Sequence, residues 1–160
     1  MLMQNTSWST KTHSYKSVRS WIFMKSLIEK IGAKPGARAI FINIPTDTMA
    51  AFDVSQLKVG STLKDEFNYI HLFCRTQEEL SMKLPRVKGH IAPTGMLWVS
   101  WPKAGRLATD LSLSEVVRIG YQNGMVESKA ISVNDTWSAM KFTFPKEDVL
   151  YSNQNGTLSK

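Results

Sequence analysis

Ala39-Ile40-Phe41-Ile42-Asn43-Ile44-Pro45 is the stretch on which the reading of the fold turns. Four apolar residues follow one another without a polar break, between the Pro35-Gly36 turn and a second proline. A strand with one wet face alternates apolar and polar side chains, whereas a strand covered on both faces, as in a parallel sheet, reads as a continuous apolar run. Phe67 to Phe73 and Met96 to Trp101 repeat the pattern. Between those two, Thr76-x-x-Glu79 carries the capping-box signature of a helix start. Pro85 is expected to interrupt or kink that helix, and Pro93-Thr94-Gly95 reads as a turn. Upstream, residues 47–57 predict one short helix with Met49, Ala50, Phe52 and Leu57 inward, and Val59 to Leu63 a short strand. Downstream, Ser112-x-x-Glu115 opens another helix, with Leu113, Val116, Val117, Gly120 and Tyr121 at helical spacing before the Asn123-Gly124 stop. Lys129 to Val133 and Trp137 to Phe144 read as two strands joined by Asn134-Asp135-Thr136. In the second of them Ser138, Met140, Phe142 and Phe144 share one face, and Trp137, Ala139 and Lys141 the other. Strands alternating with helices predict an α/β fold: one mixed sheet, mostly parallel, with helices on both faces and a C-terminal antiparallel hairpin.

The 160 residues suit one domain, and a chain of that length buries enough surface to fold without staples. Residues 1–15 are polar, with repeated Ser and Thr and no apolar period. Lys16 to Ile31 has the three- and four-residue apolar spacing of an amphipathic helix, ended by Gly32. These patterns divide the chain into a flexible basic extension (1–23), an α/β domain (24–146) and a flexible tail (147–160). The net charge is +7. Residues 1–36 carry Lys11, Lys16, Arg19, Lys25, Lys30 and Lys34 against Glu29 alone, and from residue 37 onward the charges nearly balance. A nucleic-acid binder needs a basic patch on its folded body, so this distribution argues against that partner. The apolar run Trp21 to Met24 is too short for a signal peptide or a membrane span, and the expectation is a cytoplasmic protein without a membrane partner.

The chemistry-bearing residues form no catalytic constellation. The single cysteine, Cys74, lies in an apolar run and reads as a buried inert thiol. His13, His71 and His90 are scattered, His71 and Cys74 point to opposite faces of one strand, and no metal site is expected. Asp65-Glu66 and Glu78-Glu79 are adjacent pairs that face apart and read as solvated charge. Trp98 and Trp101 lie in or at the end of a buried strand, where core packing is the plain reading.

Several segments carry a resemblance. Leu27 to Gly36 followed by Phe41 to Pro45, Ala92 to Lys103 with its Trp101-Pro102-Lys103, Thr109-Asp110-Leu111, Gly124 to Lys129, and Asp135 to Phe142 with its Trp-Ser-x-x-Lys resemble a small bacterial family, a domain of unknown function. More distantly, the opening strand Ala39 to Asn43, the phrase Ile91 to Leu97 and the closing hairpin resemble class I S-adenosylmethionine (SAM)-dependent methyltransferases. That resemblance implies a truncated Rossmann-like sheet. It also implies a Gly-rich turn after the first strand and a carboxylate ending the second. Here Asn43-Ile44-Pro45-Thr46-Asp47-Thr48 has no glycine, none occurs between Gly36 and Gly60, and Asp65 is the one loose candidate for the carboxylate.

From this departure the expectation is a non-catalytic binding or accessory module with a degenerate cofactor site, no cofactor and no tight binding of SAM. The alternative is a divergent SAM-dependent methyltransferase contacting its cofactor through Asn43, Pro45 and Asp65; a second alternative is weak nucleic-acid association. In open α/β sheets ligands sit beyond the carboxyl ends of the strands where strand order reverses. Asn43, Pro45, Arg75, Trp101, Lys103 and Asp110 are the residues delivered there. Arg75 and Lys103 would favour a small anionic ligand, Trp101 could stack, and Asp110 could accept a hydroxyl; a protein partner is the other expectation. The competing reading pairs Lys103 with Asp110 at the surface.

Overall fold

Two long parallel strands hold the centre of the computed structural model, which describes residues 25–160. β3 (Phe67–Phe73) lies beside β4 (Ile91–Pro102), with Ile70 opposite Leu97 and Leu72 opposite Val99. β1 (Arg38–Ile42) pairs in parallel with the other side of β3, and β2 (Lys58–Val59) pairs in parallel with the start of β1. Beyond β4 comes β6 (Trp137–Thr143), antiparallel, and then β5 (Val126–Ser132). The six-stranded order is β2-β1-β3-β4-β6-β5. This is the mixed α/β sheet that the apolar runs predict, mostly parallel with a C-terminal antiparallel pair.

Each face of the sheet has its own apolar layer. On the first, Ile70, Leu72, Leu97, Val99, Met140 and Phe142 meet α3 (Gln77–Lys88) and α4 (Leu113–Gln122). Leu80, Leu84 and Val87 of α3 and Val116 and Ile119 of α4 point inward at the three- and four-residue spacing of an amphipathic helix. Gly120 lets α4 lie against β6: a Cβ there would overlap the Phe142 ring. On the second face Tyr69, Phe73, Trp98, Trp137 and Ala139 meet α1 (Leu27–Ile31) and, through Phe52, the loop after the one-turn helix α2 (Thr46–Met49). The Trp98 indole N–H donates to the Ile31 carbonyl at 3.2 Å, tying α1 to the sheet.

Several expectations need correcting. α1 begins at Leu27, because Ser26 is extended and closes a full capping box with Glu29; no unbroken helix runs from Lys16 to Ile31. The residues before Lys25, including the extension 1–23, lie outside the described residues. The helix expected over 47–57 is the single turn α2, with Phe52 buried in the loop beyond it. α3 runs through Pro85 without ending. Ser81, whose carbonyl loses the Pro85 N–H, and Pro85 itself are both exposed, so the missing bond falls on the solvent side. β4 starts at Ile91 and takes in Pro93-Thr94-Gly95. Pairing with β6 begins only at Leu97, so Pro93 lies where β4 is an edge and needs no donor on that side. Where a frayed tail is expected after residue 147, β7 (Tyr151–Asn153) and β8 (Gly156–Leu158) form a separate antiparallel hairpin, turned by Asn155 N–H donating to Asn153 Oδ1 at 2.7 Å.

Candidate functional site at the carboxyl edge of the sheet

From β1 the chain first steps outward to β2 and then returns across to β3, so strand order reverses between β1 and β3. The carboxyl ends of those two strands deliver Asn43 and Arg75 to that point. Asn43 takes φ 57°, the left-handed region that glycine enters freely and asparagine tolerates better than other side chains. The tight turn that usually requires glycine is therefore made by Asn43. Pro45 follows, half-buried, as the extended residue before α2.

Glu79, in the first turn of α3, joins the two strand ends. Its Oε1 accepts from Asn43 Nδ2 at 3.2 Å, and its Oε2 accepts from the Arg75 backbone N–H at 2.9 Å. Lys83, one turn further, donates to Oε1 at 2.7 Å. Partial burial pushes the Glu79 carboxyl up, but Lys83 and the Arg75 N–H outweigh it and hold the group below the ordinary carboxylate range. Thr76 caps the helix by accepting from the Glu79 N–H, so only half of the expected capping box forms; the Glu79 side chain serves Arg75 and Asn43 instead.

The other expected residues divide. Asp110 sits at the head of α3, its Oδ1 accepting from the Gln77 N–H at 2.8 Å and its carbonyl from Gln77 Nε2 at 2.8 Å. Thr109 Oγ1 donates to the Arg75 carbonyl at 2.6 Å, so the 109–110 segment is fastened beside the switch point. Trp101 is packed into the first apolar layer, 6% exposed. Lys103 reaches toward β5, its Nζ donating to Ser132 Oγ at 2.8 Å; no Lys103–Asp110 ion pair forms. Asp65 lies at the opposite end of the sheet, before β3 and 3.9 Å from Arg38, the first residue of β1. The structure thus gathers Asn43, Pro45, the Arg75 backbone and Asp110 near one strand edge; at the same end of the sheet Trp101 is packed in the core and Lys103 is turned to β5, and Asp65 lies at the other end.

A cavity of about 340 Å³ opens beside Asn43, between β1, Ser61 and the Lys83–Arg86 side of α3. Reading the sequence alone misses Glu79, Lys83, Arg86 and Ser61. The i, i+4 spacing of Glu79 and Lys83 is a visible signal for their pair, but nothing local tells that α3 crosses the end of β1.

Two further polar groups lie inside the sheet. Cys74 is buried, and burial with some help from Glu79 pushes its thiol up to about 12, which keeps it protonated and inert. His71 is fully buried, its Nδ1 2.6 Å from the Tyr69 hydroxyl and its Nε2 2.6 Å from Ser100 Oγ. Burial lowers its pKa to about 3, so the ring is neutral, donating from one nitrogen and accepting at the other.

No protein-family model matches the chain, and no curated protein matches it by sequence. Solved structures do resemble it. The magnesium protoporphyrin IX methyltransferase of Synechocystis PCC 6803 with bound SAH superposes with a TM-score of 0.51 at 11% identity, over 89% of this chain and 90% of that one. The same enzyme with bound SAM gives 0.50 at 10% identity, over 89% and 86%. A SAM-dependent methyltransferase from Corynebacterium glutamicum gives 0.48 at 10% identity, over 84% and 99%. Identities this low speak for the fold. The expectation of a non-catalytic accessory module is corrected by this finding, since the two structures that superpose at 0.50 or better are of a methyltransferase holding SAH or SAM. The described chain has the Rossmann-like fold of SAM-dependent methyltransferases.

Proposed function

We propose that this chain is a divergent SAM-dependent methyltransferase. The observation that carries the reading is Asn43 at φ 57° on the switch point. Backbone can approach a cofactor closely only where the chain turns sharply without a bulky side chain in the way, and Asn43 makes that turn in place of glycine. The carboxylate that such a site needs does not come from β2, whose end carries Gly60 and Ser61. Glu79 supplies one from α3, held ionised and aimed at Asn43. Asn43, Pro45 and Glu79 would hold SAM, which when bound supplies a methyl group on a sulfonium centre; Glu79, already paired with Lys83, would act there as a hydrogen-bond acceptor.

The resemblance to the small bacterial family belongs to the same reading. Its Trp-Pro-Lys and Thr-Asp-Leu motifs, and the residue before its Trp-Ser-x-x-Lys, make contacts at the carboxyl ends of the strands. The Lys103 N–H donates to the Thr136 carbonyl at 2.7 Å, and Thr109-Asp110 is bonded to Arg75 and Gln77. These contacts support a structural role for the motifs, supporting the strand ends that carry the site. A cytoplasmic setting is part of the proposal, supported by the finding that no described helix is long and apolar enough to cross a membrane.

Calorimetry with SAM and with SAH tests the reading. Saturable binding with a dissociation constant of about 100 μM or tighter, near −5.5 kcal/mol, is the expected result. Asn43→Gly should retain it, and Asn43→Val, whose branched side chain cannot enter the left-handed region without strain, should lose it. A wild-type chain that takes up neither compound at concentrations on the order of 1 mM is not a methyltransferase.

A further inference from the structure

The cavity beside β1 borders the proposed cofactor site at Asn43 but has a chemistry of its own. It exists because β2 is only two residues long. Lys58 N–H donates to the Ala37 carbonyl and Gly60 N–H to the Ala39 carbonyl, so alternate residues of β1 turn their backbone groups toward β2. Phe41 is next in that series, and β2 has already ended. Its N–H and carbonyl edge onto the cavity, while its ring packs on the far face against Phe52 and Tyr69. The inner wall is apolar: Ile40, Ile42, Leu63 and Val87 all belong to the first core layer. The mouth is cationic, with Lys83 and Arg86 three residues apart on α3. Glu79 balances Lys83 at 2.7 Å. Among the described residues Arg86 has no acidic partner, so the mouth carries one uncompensated positive charge.

We infer that this cavity binds a small amphiphilic monoanion, a carboxylate with an apolar body. The body lies on Ile40, Ile42, Leu63 and Val87, and the carboxylate takes the charge of Arg86 and the open Phe41 N–H. About 340 Å³ is at the small end of ligand pockets, which fits a compact chain or single ring and excludes a dinucleotide. Two other ligand classes fit less well. A bare phosphate would leave the apolar wall wet, and a neutral hydrocarbon would leave the Arg86 charge and the Phe41 N–H unused.

The test is a titration of the full chain, without SAM, followed by amide chemical shifts of Phe41, Ser61 and Val87. Octanoate is the probe, with octan-1-ol and inorganic phosphate as the other two arms. Octanoate should shift these three amides saturably, and the alcohol and the phosphate should bind about tenfold more weakly or worse. Arg86→Gln should weaken octanoate about tenfold and leave the melting temperature in place, since Arg86 is exposed. Leu63→Asn, which alters the wall without touching the charge, should weaken octanoate and leave the weak phosphate response unchanged. Absence of octanoate binding, equal binding by Arg86→Gln, or phosphate binding as tightly as octanoate each overturns the inference. Because no cofactor is present, none of these outcomes bears on whether SAM binds.

Discussion

The centre of the sheet and its β1 edge follow opposite rules. At the centre, polar groups buried in β3 and β4 find partners within the fold: Tyr69, His71 and Ser100 form one chain of 2.6 Å contacts, and the Trp98 indole reaches the Ile31 carbonyl. At the β1 edge a strand ends early, backbone groups face a cavity, and Asn43 holds a conformation that few side chains accept. The centre resists change because these buried side chains are hydrogen-bonded and closely packed. The edge keeps unmatched donors and charge where a ligand can reach them. Stability and binding are thus assigned to different strands, and substitutions in the two regions should differ in size and in kind.

The largest effect belongs to the centre. Trp98 is fully buried on the second face, and Trp98→Ala should cost about 3–5 kcal/mol in urea unfolding followed by circular dichroism, from lost contact and the cavity left behind. A loss below about 1.5 kcal/mol would mean that this layer relaxes as easily as the edge does.

Acid should act on the same layer. The unfolded chain protonates its histidine near the ordinary value of about 6.5, whereas buried His71 resists down to about 3. Between those values the unfolded state holds the extra proton, so stability falls as pH falls, by up to about 1.4 kcal/mol per pH unit. Above pH 6.5 this contribution is fully present. Urea midpoints at pH 7 and pH 5 should differ accordingly, and His71→Gln, where it folds, should flatten the difference. Equal slopes in the two proteins would show that His71 gains a proton in the folded state.

A smaller effect is expected at Asn43. Both Asn43→Ala and Asn43→Gly lose the 3.2 Å bond to Glu79, but only alanine meets the left-handed penalty. Alanine should therefore be less stable than glycine by about 1 kcal/mol. Equal stabilities would show that the turn opens without cost. The smallest effect is at Lys103, whose half-exposed side chain makes one bond to Ser132: Lys103→Ala should change stability by less than about 0.5 kcal/mol.

Much of the fold was legible because the signals are short-ranged. The continuous apolar runs fall in β1, β3 and β4, and Ser112 accepts from the Glu115 N–H where the pattern Ser-x-x-Glu starts α4. The alternation over β6 divides its side chains between the two core layers as read, with Met140 and Phe142 on one and Trp137 and Ala139 on the other. Proline misled twice, in α3 and in β4, because its cost depends on whether the lost donor faces solvent or a neighbouring strand, and a linear sequence does not carry that. Of the proposed site, the place of Asn43 and Pro45 at the carboxyl edge was legible, since they directly follow the first strand. Glu79, Lys83 and Arg86 were not, because α3 must first be laid across the end of β1.

The sequence by itself determined where the chain can be strand, where helices begin, and that the turn after β1 has to be made without glycine. These depend on steric and hydrogen-bonding preferences within a few residues. Only the tertiary structure decided that β2 ends after Val59, that Asp65 sits beside Arg38 at the far end of the sheet, and that Glu79 meets Asn43. Each of these is a pairing between groups distant in sequence. Such pairings are selected by which buried donors, acceptors and charges find partners when the whole sheet closes, and no local preference encodes that choice.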